Sequence, residues 1–176
     1  MEESLCEKKA FPKLVQEVLQ IDKEYFGMKG ETLFNLIVEG LGFEKGLELG
    51  LDTVDEKKSI LFTLNEKNTK LFPDMLKLSH VDDEGVFLKN LFITYANLHP
   101  SIRQKILFKH LFMQLEQAIK KKKKIKIYYQ GNLWEIIGIA LERDVSTGYS
   151  FLRAKTKDKE YQFEVKYNRI YSLNKN

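Results

Sequence analysis

The sequence has few of the features that tie a protein to an oxidising compartment or to a membrane. Its 176 residues include one cysteine, Cys6, so an internal disulfide is excluded and a reducing setting is natural. Apolar runs fall well short of the ~18 residues that a membrane-spanning helix needs. The charged segment Met1 to Lys9 does not read as a signal peptide. We therefore expect a soluble, cytoplasmic protein without membrane contacts.

The motifs of the common enzyme classes are missing as well. The sequence has no Walker loop, no dinucleotide-binding fingerprint and no nucleophile elbow. The histidines, His80, His99 and His110, do not stand at metal-ligand spacing from one another or from Cys6. We therefore expect no catalysis, no bound metal and no cofactor, so that the function should rest on binding.

Charge is distributed unevenly along the chain. From Gln117 to the C-terminus there are 14 Lys and Arg residues against 6 Asp and Glu, a net charge of +8. From Met1 to Glu116 the count is 15 against 19, a net charge of −4. Because local positive charge attracts polyanions, we expect a nucleic acid or another anionic ligand to bind the C-terminal third.

Residues 1–97 read as two weakly similar helical units, displaced by about 54 residues. With this shift Leu33-Phe34 falls on Phe87-Leu88, and each unit reads as a strand, a helix, a short turn and a second helix. The clearer strand is SILFTL, in which Phe62 and Leu64 share a face; its counterpart would be EKKAF around Ala10. This order resembles the ribbon-helix-helix fold. The resemblance implies that the two units pair their strands, as a pseudo-dimer within a monomer.

A long helix should connect these units to the rest of the chain, over residues 98–124. Pro100 opens it, apolar residues recur at helical spacing, and it ends in the lysine run Lys120 to Lys124. Residues 125–176 then change character, because five short stretches of alternating polarity are separated by turns. Five short strands favour a small curled barrel, since closure removes exposed sheet edges. The predicted fold class is therefore α+β.

The stretch from Tyr95 to Leu173 resembles a WYL domain with its leading helix. The resemblance rests on YANLHPSIRQKILF, on a first strand containing KKIKIYY, and on a closing motif, Val165 to Ile170, similar to the family's Phe-Arg-Leu-Asp-Arg-Ile. The tripeptide that names the family would lie at Ser150-Phe151-Leu152, so its Trp is replaced by Ser and its Tyr by Phe. The proline usual in the second strand is absent. The resemblance implies an Sm-like or SH3-like barrel over residues 125–176.

The whole arrangement is similar to ribbon-helix-helix plus WYL proteins found as CRISPR accessories and as phage or plasmid regulators. Such relatives imply control of transcription, or of a type VI CRISPR effector, through nucleic-acid or protein contacts. We therefore expect a non-catalytic regulator that binds nucleic acid, with single-stranded RNA or DNA favoured. The alternatives are a module that docks on a CRISPR effector without affinity for nucleic acid, and a sensor of an anionic small ligand. The tandem units favour a monomeric pseudo-dimer over a homodimer, which stays the alternative.

The candidate binding residues are basic and aromatic positions of the C-terminal third. On the third strand of the barrel, residues two apart share a face. An aromatic side chain there lies beside cations, as in grooves that stack bases and follow a phosphate backbone. The predicted set is Lys120, Lys121, Lys122, Lys123, Lys124, Lys126, Tyr149, Phe151, Arg153, Lys155, Lys166 and Arg169. In the alternative interpretation the lysine run is only a solvated helix end, and Phe151 faces the barrel core. Tyr128, Tyr129 and Tyr171 are interpreted as half-buried strand residues.

A second candidate surface is the ribbon of the N-terminal half. If the strand SILFTL entered the major groove of DNA, Ser59, Leu61 and Thr63 would be its outward residues. Leucine is a poor base reader, hydroxyl contacts discriminate weakly, and the surrounding region is acidic. We therefore favour a structural or dimerising role for the ribbon.

Overall fold

The computed structural model describes residues 6–44, 57–157, 159–166 and 169–173, with the backbone alone for 6–12, 57–61 and 169–173. The chain divides into two compact units, Met1–Leu98 and His99–Asn176. It combines helices with antiparallel sheets, so the predicted α+β class is confirmed. The described helices are α1 (Lys13–Phe26), α2 (Gly30–Leu41), α3 (Glu66–Ser79), α4 (Glu84–Asn97), α5 (Pro100–Leu107) and α6 (Lys109–Lys120). The described strands are β1 (Cys6–Pro12), β2 (Lys57–Thr63), β3 (Lys124–Tyr129), β4 (Asn132–Arg143), β5 (Ser150–Thr156), β6 (Lys159–Glu164) and β7 (Arg169–Leu173). None of these helices has the length and apolarity needed to cross a bilayer.

The first unit has the order strand, helix, helix twice. Its strands β1 and β2 pair antiparallel, from Cys6 opposite Thr63 to Pro12 opposite Lys57. A ribbon of two strands is marginal in water by itself, so its stability depends on the helices that follow each strand. Phe62 at the end of β2 is 5% exposed and faces this helical layer.

Helix α4 carries much of the core of the first unit. The ring centroid of Phe92 lies 5.6 Å from those of Phe34 on α2 and Phe62 on β2, so three elements meet in one aromatic cluster. Near the C-terminal end of α4, the hydroxyl of Tyr95 donates a hydrogen bond of 2.5 Å to the carboxylate of Asp22 on α1. Both side chains are fully buried. A buried polar group without such a partner would be costly.

Buried asparagines connect the first strand–helix–helix repeat to the second. Asn35 on α2 donates from Nδ2 to the carbonyl of Thr63 at 2.8 Å, and its Oδ1 accepts from the amide of Asn65 at 2.7 Å. Asn68 on α3 donates from Nδ2 to the carbonyl of Asn35 at 2.8 Å. Asn65 also caps α3, because its Oδ1 accepts from the amide of Asn68. The network therefore fixes how the turn after β2 sits against α2.

The second unit begins with two helices where the sequence predicted one over residues 98–124. α5 ends at Leu107 and α6 begins at Lys109, because Phe108 leaves the helical region with φ −119° and ψ 38°. Apolar periodicity did not show the break, since two helices joined by a single residue keep nearly the same spacing of apolar side chains. The prediction was also wrong at its end, because α6 stops at Lys120 and Lys124 already belongs to β3.

The other strands form an antiparallel sheet in the order β6-β5-β4-β3-β7. Tyr129 on β3 and Phe163 on β6 are three strand spacings apart in this order, about 14 Å in a flat sheet. Their ring centroids are nevertheless 5.2 Å apart, so the sheet is strongly curled. A register shift between Gly138 and Ala140 of β4 lies opposite β5, and bulges of this kind bend strands. A Cβ on Gly138 would lie 2.8 Å from a side-chain carbon of Ile119, so α6 packs closely against β4.

A buried glutamine joins α5 to the sheet. Gln104 donates from Nε2 to the carbonyls of Ser150 and Val165 at 3.0 and 2.8 Å, and its Oε1 accepts from the amide of Ser150 at 2.6 Å. The side chain is fully buried. It satisfies backbone groups at the start of β5 and just beyond β6, which buried backbone atoms require.

Candidate functional site

The lysine-rich segment forms the turn between α6 and β3, and we call residues Lys120–Lys123 the lysine turn. α6 ends in a Schellman motif, in which the amide of Lys122 donates to the carbonyl of Ile119 at 3.1 Å and that of Lys123 to Ala118 at 2.9 Å. These bonds use the backbone donors of Lys122 and Lys123. The turn would therefore attract an anion through its side chains.

Lys122 has a backbone conformation that favours glycine. Its φ is 50°, in the left-handed region, at the position after the helix cap where glycine is most common. A residue with a Cβ costs about 1 kcal/mol or more there. The chain therefore has a charged side chain at a position where the backbone conformation favours glycine.

The lysine turn concentrates exposed positive charge. All of its side chains are exposed, and within the described ranges no Asp or Glu oxygen lies within 4.0 Å of their Nζ atoms. The next lysine differs, because Nζ of Lys124 lies 2.9 Å from Oε1 of Glu135. Adjacent exposed cations without carboxylate partners create the local field that draws phosphates.

The second group of predicted residues lies on the solvent-facing side of the sheet, which we call the outer face. Burial alternates along β3 and β5, so Lys124 and Lys126, and likewise Phe151, Arg153 and Lys155, share this side. Cross-strand pairing then brings in the carboxylates of neighbouring strands. The charged residues of the outer face on β3 to β6 are Lys124, Lys126, Arg153 and Lys155 with Glu135, Glu142, Glu160 and Glu164.

The charges of the outer face largely offset one another. Nε of Arg153 lies 3.1 Å from Oε1 of Glu142, although the two atoms are not aligned for a hydrogen bond, and Nη1 lies 3.7 Å from Oε2 of Glu160. A hydrogen bond from Lys124, together with its charge and that of Lys126, lowers the pKa of Glu135. Because each cation has a carboxylate neighbour, the outer face attracts phosphate much less than its count of basic residues indicates.

The remaining predicted residues differ in burial and in their neighbours. Tyr149 was expected to share the face of Phe151, but it precedes β5, is only 4% exposed and is not available to a ligand from solvent. Phe151 is half-buried and stands between Glu142 and Glu164 in the strand register. Lys166 lies 3.1 Å from Glu164. Arg169 on β7 stands opposite Tyr128 on β3, and the side chain of Arg169 lies outside the described residues.

The structure describes the predicted DNA-facing ribbon through its backbone register. Ser59, Leu61 and Thr63 stand opposite Ala10, Lys8 and Cys6 respectively. Thr63 is half-buried, and its carbonyl accepts the hydrogen bond from Asn35. The side chains of Ser59 and Leu61 lie outside the described residues, so their direction stays a prediction.

Sequence reasoning missed an aromatic cluster on the opposite side of the sheet. It consists of Tyr129 on β3, Trp134 on β4, and Tyr161 and Phe163 on β6. The alternation in each strand is visible in the sequence, but the meeting of β6 with the hairpin of β3 and β4 depends on the curl of the sheet. Only the curvature of the sheet reveals it.

Comparisons with known proteins give a likeness of fold. No family model matches the chain, and no curated protein matches it. A solved structure described as "Crystal structure of a CRISPR Cas-related protein" superposes with a TM-score of 0.62 at 11% identity, over 96% of this chain and 63% of that one. The chain therefore spans less than two thirds of that protein's length. The WYL and ribbon-helix-helix resemblances stay predictions.

Proposed function

We propose that this chain is a non-catalytic regulator that binds nucleic acid, and that the lysine turn makes the principal phosphate contacts. The observation that carries the proposal is the presence of adjacent, exposed lysines at the junction of α6 and β3, with no carboxylate partner among the described residues. The two units also differ in charge: residues 99–176 hold 17 Lys and Arg against 7 Asp and Glu, and residues 1–98 hold 12 against 18. Binding should therefore centre on the second unit.

The biological setting that we propose is control of transcription or of a CRISPR effector. A solved structure of similar fold is a CRISPR Cas-related protein. The antiparallel pairing of β1 with β2, each followed by two helices, supports a tandem ribbon-helix-helix unit. The contact between Tyr129 and Phe163 across the curled sheet supports a small barrel of the WYL type.

A second function is favoured by a separate observation on the outer face. Tyr128 and Leu133 stand opposite each other on β3 and β4 and are 44% and 59% exposed, and Ile137 on the same side is 39% exposed. Apolar side chains among balanced charges suit a protein partner better than a polyanion. The alternative is therefore a module that docks on an effector protein. The small-anion sensor loses support, because Glu142 and Glu160 already flank Arg153.

Fluorescence anisotropy with labelled single-stranded RNA, single-stranded DNA and duplex DNA, each at low and moderate salt, tests the proposal. We expect salt-dependent binding, and a variant with Lys120 to Lys123 changed to glutamine should lose it. Four phosphate contacts to a single strand contribute about 3 to the slope of log K against log salt, so the slope should fall by about that amount.

The matched control changes Lys13, Lys23, Lys29 and Lys77 to glutamine. These lysines are exposed in the first unit, and their replacement alters the net charge by the same amount. The control should bind nearly as the wild type does. Equal losses of affinity in both variants would mean that net charge alone drives binding. No binding of the wild type at low salt would favour the alternative function, in which a protein partner binds the outer face.

A further inference from the structure

An aromatic ledge lies on the side of the curled sheet opposite the outer face. Its rings are Tyr129, Trp134 and Tyr161, and Phe163 is the floor against which they pack. The ring centroid of Phe163 lies 5.2 Å from that of Tyr129 and 5.3 Å from that of Trp134, and Trp134 lies 5.3 Å from Tyr161. Phe163 is 2% exposed and Tyr161 36%, with Tyr129 and Trp134 between them. The ledge therefore presents ring surface to solvent on a rigid base.

The ledge also contains an unused hydrogen-bond donor. The indole Nε1 of Trp134 is buried and has no acceptor among the residues that the structure describes. Tryptophan N–H groups usually have a partner when they are buried, and a buried donor without one is unfavourable. This donor is covered in the unbound structure, so the acceptor oxygen or nitrogen of a nucleobase would reach it only after the neighbouring side chains shift.

Two exposed lysines accompany the ledge. Lys159 is two residues before Tyr161 on β6 and shares its side of the strand. Lys157, with φ 52°, lies in the turn that leads into β6. Both lysines are exposed, and no described carboxylate comes within 4.0 Å of their Nζ atoms. Exposed rings next to cations match the bases and phosphates of a flexible nucleic acid strand.

We propose that Tyr161 and Trp134 stack on bases of a single-stranded nucleic acid, while Lys157 and Lys159 contact the adjacent phosphates. This inference rests on the proposed nucleic-acid binding and adds its substrate class. Bases in a duplex are already stacked on one another, so the ledge favours single strands. The lysine turn does not distinguish one base from another, because it contacts phosphates through charge alone.

The test compares oligothymidylate with an abasic oligodeoxyribose phosphate of the same length. Trp134 is the single tryptophan of the chain, so quenching of its fluorescence reports directly on the ledge. We expect quenching by oligothymidylate and none by the abasic strand, although both bind through phosphates. Tyr161→Ala should weaken the binding of oligothymidylate by roughly ten-fold and leave the binding of the abasic strand unchanged.

Two control variants accompany this test. Tyr161→Phe keeps the ring and should bind as the wild type does. Tyr128→Ala removes an exposed ring from the outer face and should not alter the ratio of the two affinities. If Tyr161→Ala fails to fold, the comparison of quenching by the two strands in the wild type still decides the question.

Each result separates the two proposals. If neither strand binds the wild type, the proposed function and the ledge are both excluded. If both strands bind equally well without quenching, the lysine turn stands and the ledge is excluded. Quenching by an oligoproline peptide but not by oligothymidylate would assign the ledge to a protein partner and overturn the inference.

Discussion

The lysine turn and the part of the outer face formed by β3 to β6 each contain four described cations, yet their surroundings differ. The turn has Lys120 to Lys123 in direct succession, exposed and without described carboxylate neighbours. On the outer face, Arg153 stands between Glu142 and Glu160, and Lys124 pairs with Glu135. The comparison shows that attraction for a polyanion depends on which residues the strand register places side by side. A count of basic residues along the chain does not contain this information.

The largest effect should come from removing the side chain that holds the start of β5. Gln104→Leu would leave the amide and carbonyl of Ser150 and the carbonyl of Val165 without their partner in a buried site. We expect the free energy of unfolding to fall by about 2–4 kcal/mol, as measured by chemical denaturation. The matched variant Gln117→Leu, at an exposed position of α6, should change it little. Unaltered stability of Gln104→Leu would show that the hydrogen bonds of Gln104 do not hold the sheet.

A gain of affinity should follow when the outer face is made to resemble the lysine turn. Replacing Glu142 and Glu160 by glutamine would release Arg153 from its carboxylate neighbours. One additional phosphate contact strengthens binding to a single strand by about five-fold near 0.1 M salt. Anisotropy should record this gain, and Glu17→Gln with Asp74→Asn, exposed positions of the first unit, should not reproduce it. An unchanged affinity would place the bound strand away from the outer face.

Lys122→Gly should separate stability from binding within the lysine turn. Glycine relieves the left-handed conformation at φ 50°, so we expect the free energy of unfolding to rise by about 0.5–1 kcal/mol. Loss of one cation should lower affinity by up to about five-fold. Lys121→Gly is the control, because Lys121 has a right-handed backbone: it removes the same charge but should not stabilise the protein. A Lys122→Gly variant that is stabilised and binds normally would exclude a role for that charge.

The smallest effect should concern the pH dependence of the outer face. Lys124 and Lys126 hold the pKa of Glu135 below its usual value, so the carboxylate stabilises the folded state at neutral pH. That contribution is lost as the pH falls through the lowered pKa. The melting temperatures of the wild type and of Glu135→Gln should differ slightly at pH 7 and converge in acid. Lys124→Gln should remove most of the same pH dependence, and a difference that grows in acid would contradict this assignment.

Local patterns predicted much of the fold, because they depend on neighbours in sequence. Alternation indicated the strands of the sheet, and a repeated pattern indicated the two strand–helix–helix segments. Tyr149 shows where such reasoning ends: the two-residue period was extended past Ser150, where β5 begins, and the side chain is buried. The break at Phe108 was hidden for a related reason, since one buried aromatic residue fits both a continuous helix and a junction.

The candidate site was harder to predict, because its properties arise from contacts between distant residues. The sequence indicated correctly that the lysine run is exposed, although only Lys120 belongs to α6 and Lys124 already belongs to β3. It did not indicate that Glu142 and Glu160 would flank Arg153, which depends on the pairing of β4, β5 and β6. It also did not join Trp134 to Tyr161, because their contact requires the curl of the sheet. Register and curvature are set by the packing of the whole sheet.

Because β1 and β2 belong to one chain, their pairing does not depend on the protein concentration. When two subunits supply the strands of a ribbon, the ribbon is lost as the protein concentration falls below the dissociation constant. Here the strand Cys6–Pro12 is joined covalently to Lys57–Thr63, so the effective concentration of one strand for the other is constant. Each half can also diverge independently, as the Asp22–Tyr95 bond between α1 and α4 illustrates. A chain built in this way keeps its ribbon assembled even when only a few copies are present in a cell.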